Sequence, residues 1–283
     1  MAARSLRFSQ VDVFTTEPLR GNPVAVVHDA DALTDDRMAA FARWTNLSET
    51  TFLLRPTTRG ADYRVRIFTP GGELPFAGHP TLGTCHAWLA ASGAPAGGDR
   101  VVQECGVGLV TIRRAAGSLA FAAPPPREDR PLDDTELAAC VAAAGVPREA
   151  VVDHRLLDNG PAWAVLLVDS ADRVLGARPD FAGSPVGKLG LVGPYPEGAA
   201  AAFEVRGFAP GIGVPEDPVT GSLNASVGQW LTRTGRAPER YVAAQGTVLG
   251  RAGRVHVERD ADGQVWVGGA TVTVLDGDAA LTA

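Results

Sequence analysis

Two stretches decide the fold: YRVRIFTPGGELPFAGHPTLGTCHAWLAASG, residues 63–93, and FEVRGFAPGIGVPEDPVTGSLNASVGQWLTRTG, residues 203–235. Laid one over the other with a small slip in the loop, they share Val65-Arg66 with Val205-Arg206, Phe68 with Phe208, and Pro70-Gly71 with Pro210-Gly211. Pro75 matches Pro215, and Trp88 and Gly93 match Trp230 and Gly235. Self-similarity of this kind is the mark of a duplicated unit. The expectation is two similar domains, residues 1–125 and 126–283, with the final strands able to return to the first. After the slip, His79-Pro80 falls opposite Asp217-Pro218, and Leu82-Gly83 opposite Thr220-Gly221.

Outward from this repeat the chain reads as strands broken by turns. RFSQVDVF, NPVAVVH, ETTFLL and YRVRIFT carry strand signals, and in the last Tyr63, Val65 and Ile67 alternate with polar neighbours. Met38, Phe41 and Ala42 follow Thr34 and Asp35 at helical spacing, which predicts a capped amphipathic helix in TDDRMAAFARW. A second helix is predicted from near His79 or Pro80, because proline is tolerated in a first turn, where its missing N–H has no intrahelical partner to lose. Pro124, Pro125 and Pro126 interrupt the strand pattern and read as a linker. Beyond them, Asp133 and Glu136 form the signature of a capping box, with Gly145 as the stop.

Composition excludes several functions. The formal net charge is -6 over 283 residues, which is the wrong sign for a surface that must displace counterions from nucleic acid. No stretch approaches the ~20 apolar residues that span a bilayer, and MAARSLRFSQVDVF lacks the apolar core of a signal peptide, so a cytoplasmic protein is expected. Cys85, Cys105 and Cys140 are scattered and read as small hydrophobes, and the five histidines show no metal-ligand spacing. Neither a metal nor a cofactor is expected. GSPVGKLG misses the phosphate-binding loop pattern by one residue and lacks the hydroxyl after lysine. Lys188, within it, is the chain's sole lysine, so a pyridoxal phosphate Schiff base would need that one residue in a glycine- and proline-rich loop. GVGLVT lacks the third glycine of a dinucleotide fingerprint and reads as a hairpin.

Three residues invite an acid/base reading. Glu49, in WTNLSETTFLL, stands where the capped helix gives way to a strand. An exposed turn glutamate is the commoner case, but a carboxylate in a partly closed cleft can carry a proton between two atoms of one substrate. His79 alone reads as a structural histidine and Asp217 alone as a helix N-cap, yet the repeat places them at matching loops. If the halves face each other about a pseudo-twofold, the two strand-to-helix loops meet across an interdomain cleft. Their unpaired N–H groups would then suit a small carboxylate.

GNPVAVV, NLSETTF, RIFTPGGELPFAGHPTLGT and EDPVTGS resemble, in order and over almost the whole chain, the phenazine-biosynthesis PhzF-like proteins, which share the diaminopimelate epimerase fold. The resemblance implies an α+β protein of two pseudo-symmetric domains, each a mixed β-sheet or barrel wrapped around a central α-helix, and commonly a homodimer. It implies a cofactor-independent isomerase of the trans-2,3-dihydro-3-hydroxyanthranilate isomerase type, or a related epimerase, with its site in the interdomain cleft. Carried over by motif, the proton shuttle is Glu49, assisted by His79 and Asp217, while Gly78, Gly221, Ser222 and Asn22 hold the ligand. The epimerase branch uses one cysteine per loop; here those places carry His79-Pro80 and Asp217-Pro218, which disfavours a two-thiol racemase. The alternative from another class is a non-catalytic protein that binds a small metabolite in the same cleft.

Overall fold

The computed structural model describes residues 5–91, 93–115 and 117–281. The chain divides into two compact units, Met1–Ala122 with Gly268–Ala283, and Ala123–Val267. Gly268–Ala283 is counted with the first unit because the last strand pairs with strands there.

The first unit begins with β1 (Ser5–Val13) and β2 (Asn22–Val27), then α1 (Asp35–Thr45), β3 (Thr50–Leu54), β4 (Tyr63–Thr69) and β5 (Gly72–Leu74). It continues with α2 (Gly78–Ala90), β6 (Arg100–Cys105), β7 (Gly108–Ala115) and β8 (Ser118–Ala122). β1 and β2 are antiparallel, β2 and β3 parallel, and β3 and β4 antiparallel. β4 runs parallel to β6, and β6, β7 and β8 follow as antiparallel neighbours. GVGLVT is the β6–β7 hairpin, with Cys105 paired to Gly108. α1 is capped by Thr34 Oγ1, which accepts from the Arg37 N–H at 3.3 Å, and ends at Asn46 in the left-handed conformation.

α2 carries no acidic, lysine or arginine side chain, and residues Gly78 to Cys85 are buried without a break, as suits a helix with no charged face. It packs on β1, β2, β3, β6 and β8. Gly83 permits the closest approach: a Cβ there would run into Val24 Cγ1 and come within 3.1 Å of Val13 Cγ2.

The second unit runs β9 (Glu128–Arg130), α3 (Asp134–Ala144), β10 (Val151–Asp158), β11 (Ala162–Val168), α4 (Ala171–Gly176), β12 (Leu189–Pro194) and β13 (Phe203–Ala209). Then come β14 (Val214–Asp217), α5 (Gly221–Arg233), β15 (Arg240–Gln245), β16 (Gly253–Arg259) and β17 (Val265–Ala280). Its pairing repeats that of the first unit. β10 and β11 are antiparallel, β11 and β12 parallel, β12 and β13 antiparallel, β13 and β15 parallel, and β15 and β16 antiparallel. α5 is the central helix, and Gly228 lets it close on β16, since a Cβ there would stand 2.7 Å from Val257 Cγ1. α3 carries the capping box of Asp133 and Glu136 and stops at Gly145 with φ of 66°.

β17 passes from the second unit into the first, where it pairs with β1 from Thr271 to Ala280 and also with β8. The pairings of β17 with β1 and β8 close the first sheet into a barrel around α2.

The shared Val-Arg-x-Phe motif has a structural reason. Arg66 forks onto Glu73 through Nε at 2.8 Å and Nη2 at 2.6 Å, while Arg206 forks onto Glu216 at 2.9 and 2.8 Å. Each guanidinium also lies over the phenylalanine two residues on, 5.1 Å from the Phe68 ring and 5.0 Å from the Phe208 ring. The fork staples the hairpin that leads into each central helix.

This fork also corrects the register of the repeat. Glu73 corresponds to Glu216, and α2 and α5 are both 13 residues long and begin at Gly78 and Gly221. His79 therefore matches Ser222, and Asp217, at the end of β14, matches Leu74, at the end of β5. The sequence overlay that set His79 against Asp217 aligned two X-Pro steps lying at different distances from the helix start.

Candidate active site

Glu49 is set by the helix end before it and the strand after it. Asn46, at φ of 55°, turns the chain out of α1. Four residues later β3 begins, and Thr45 and Thr50 hydroxyls, 2.9 Å apart, tie the two ends of the turn together. Thr84 on α2 donates to Thr51 Oγ1 at 2.8 Å, and Thr51 donates to the Ala25 carbonyl at 3.2 Å, fixing the start of β3 against the central helix and β2. The Glu49 side chain keeps 16% of its surface exposed, so it is a largely enclosed carboxylate that still reaches solvent.

His79 meets it within the same unit. His79 Nε2 lies 3.5 Å from Glu49 Oε2, longer than an ordinary hydrogen bond but in direct reach of a small rearrangement. On the other side of the ring, Asn22 Nδ2 lies 3.4 Å from Nδ1. Burial pushes the imidazole down to about 3, and its hydrogen bond to the Pro23 backbone works in the opposite direction without reversing that. The ring is neutral at physiological pH. Asn22 is fully buried at the start of β2, behind Gly21, where a Cβ would strike the Val13 carbonyl oxygen and stand 2.6 Å from Thr15 Cγ2.

Asp217, in the second unit, is not the N-cap of α5; that position is Thr220, whose hydroxyl donates to Asp217 Oδ2 at 2.7 Å. Behind this pair lies a fully buried amide, Gln245. Its Oε1 accepts from the Thr220 N–H at 3.0 Å and from Asn224 Nδ2 at 2.8 Å. Its Nε2 donates to Thr220 Oγ1 at 2.9 Å and to the Asp217 carbonyl at 3.2 Å. Gly207 leaves room for this arrangement, since a Cβ would stand 2.7 Å from Thr220 Oγ1.

The first unit has the corresponding amide. Gln103 on β6 accepts from the Tyr63 hydroxyl at 3.0 Å and donates to Thr81 Oγ1 at 3.0 Å. Each central helix is thus pinned in its first turn or two by a buried glutamine from the following parallel strand. Sequence reasoning missed both, although QE in RVVQE and Q in YVAAQ stand at the same spacing as the matched tryptophans.

Neither central helix has a side chain capping its start: Ala77 precedes Gly78, and Thr220 precedes Gly221, with no side-chain cap bond at either. The N–H groups at Gly78, Gly221 and Ser222 therefore combine orphan donors with the positive end of a helix dipole, which suits a carboxylate. Ser222 Oγ accepts from Trp163 Nε1 at 3.2 Å. The structure brings Glu49, His79, Asn22 and Gly78 together in the first unit, and Asp217, Gly221 and Ser222 together in the second. The cysteines take no part: Cys85 is buried inside α2, and burial pushes its thiol up to about 12.

Two units of like strand pairing, each built on a central helix with an uncapped start, carry Glu49 and His79 in the first and Asp217 in the second. The family model for phenazine biosynthesis-like proteins matches residues 11–277, and the chain belongs to that family. It is 34% identical to trans-2,3-dihydro-3-hydroxyanthranilate isomerase of Pseudomonas aeruginosa, over 91% of this chain and 92% of that one. It is 37% identical to antisense-enhancing sequence 1 of Schizosaccharomyces pombe, over 95% and 97%. Among solved structures, a PhzF-family phenazine biosynthesis protein of Bacillus anthracis superposes with a TM-score of 0.85 at 22% identity, over 98% of this chain and 99% of that one, and shares its fold. The chain is an isomerase by family. Among the described residues, no helix is long and apolar enough to cross a membrane.

Proposed function

We propose that this isomerase moves a proton within a small carboxylate-bearing metabolite without a cofactor, and that Glu49 takes and returns that proton. The supporting observation is the Glu49–His79 pair: a carboxylate held at both ends of its turn, 3.5 Å from an imidazole that burial keeps neutral. As carboxylate, Glu49 removes a proton from carbon, and the electron pair moves into the adjoining double bond or carbonyl. As carboxylic acid, it then delivers the proton to the far end of that system. His79, neutral throughout, supplies no charge; it orients the carboxyl group and can exchange a hydrogen bond with it.

In this reading Asp217, steadied by Thr220 and Gln245, serves the same substrate, whose carboxylate is held by the N–H groups of Gly78, Gly221 and Ser222. The interdomain cleft, a homodimer and a cytoplasmic location belong to the same proposal. The substrate of the Pseudomonas relative, trans-2,3-dihydro-3-hydroxyanthranilate, is the first compound to test.

The test is proton NMR in D₂O on that compound and a panel of related unsaturated and cyclic carboxylic acids. Deuterium entering substrate or product supports the reading. Compounds that raise the melting temperature yet exchange no proton would instead favour a metabolite-binding protein.

A further inference from the structure

Lys188, set aside as a cofactor anchor, lies in the second unit beside the start of α5. It immediately precedes β12, and its carbonyl accepts from the Ala164 N–H at 3.2 Å, which sets it next to β11. Its Nζ stands over the Trp163 ring, 5.8 Å from the centroid. That indole donates through Nε1 to Ser222 Oγ, the second residue of α5. Trp163 is 3% exposed, so the indole is a buried platform that bonds Ser222 along one edge and carries the Lys188 ammonium over its face.

Among the described residues, no carboxylate oxygen lies within the 4.0 Å of an ion pair from Nζ. Burial lowers the lysine below its usual value, and the field of Asp158 opposes that only in part. A partly desolvated cation resting on an aromatic face is well placed to take an anion, because the indole replaces some hydration without supplying a counter-charge. Lys188 is the only lysine in the chain, so a label on side-chain amines reports this position alone.

We propose that Lys188, carried on Trp163, is the ionic anchor that gives the site its requirement for a carboxylate, binding the same acid group that the Ser222 end of α5 receives. The proposal rests on the functional reading above and adds to it a specificity-determining residue: acids are accepted, and their neutral amides or esters are refused. Lys188 takes no part in proton transfer.

The single lysine makes the test direct. Reductive methylation of the full-length protein with ¹³C-formaldehyde keeps the charge and places an NMR label on Nζ; Lys188→Arg identifies its resonance against that of the N-terminal amine. Anthranilate, benzoate and pyrrole-2-carboxylate are titrated, each beside its neutral amide. The acids are expected to move the Lys188 resonance saturably and the amides to leave it in place. Lys188→Met is expected to weaken binding of the acids about tenfold or more, with Lys188→Arg recovering part of the loss, as fits a hydrogen bond to a charged group.

Acids that leave the Lys188 resonance unmoved up to about 50 mM, a concentration that reveals even very weak binding, would overturn the proposal. So would equal shifts from acid and amide. Failure of the isomerase reading is separate: proton exchange that survives in Glu49→Gln contradicts that reading whatever Lys188 does, and an unmoved Lys188 resonance contradicts the anchor whatever Glu49 does.

Discussion

His79 Nε2 faces Glu49 Oε2 at 3.5 Å across the start of α2, and the ring is held neutral by its burial. The pair is a carboxyl group beside an uncharged imidazole, and in the proposed reaction the first would hold the proton while the second positions it.

The pH dependence follows from that neutrality. An unfolded histidine binds its proton near pH 6.5, whereas folded His79 does so only near 3. Between those values the unfolded state binds more protons, so His79 makes stability fall as pH drops below about 6.5 and contributes no slope above it. His28 and His86 are lowered by burial in the same sense, so the measurement is a difference. Melting temperatures of wild type and His79→Gln from about pH 4 to 8 should show a shallower acid slope in the variant. An imidazole resonance of His79 that titrates near neutrality would contradict the assignment.

Gln245 should matter to both stability and function. Replacing it with leucine orphans the buried Thr220 N–H and takes from Asn224 Nδ2 one of its two acceptors, the Thr220 carbonyl remaining. An orphaned group costs about 1–3 kcal/mol, so urea unfolding should register a loss of about that size. Because Gln245 also holds the Asp217 backbone and the Thr220 hydroxyl, turnover should fall more than for a stability-matched variant elsewhere. Equal activity after correction for the folded fraction would mean the network is only structural.

Gly83→Ala tests how tightly the first barrel closes on α2. Glycine inside a helix usually costs about 1 kcal/mol against alanine, so propensity alone would make the change stabilising. Here the new Cβ would collide with Val24 Cγ1 and press on Val13 Cγ2, and overpacking of this kind costs typically about 1–3 kcal/mol. The steric term should win. A raised melting temperature would show that β2 gives way easily.

Much of this architecture was legible because the duplication is written in the chain. The Arg66 and Arg206 motifs and the capping box of α3 are local signals, and α1 and α3 formed where their capping residues said. Register across the loop was not legible, since the eye matched His79-Pro80 to Asp217-Pro218, while the helices count from Gly78 and Gly221. That Glu49 lies beside His79 depends on α1, β3 and α2 packing together, which no spacing along the chain encodes. The approach of Lys188 to Trp163 likewise comes from the parallel pairing of β11 with β12, 25 positions apart in sequence.

The most direct measurement is deuterium incorporation by wild type and Glu49→Gln, side by side, on one acid that the wild-type protein isomerises. Glutamine keeps the size of the side chain but cannot take up a proton at carbon, so exchange and turnover should fall by about 10²–10⁴-fold while the melting temperature holds. Exchange at the wild-type rate in Glu49→Gln would contradict the assignment of Glu49 as the proton carrier.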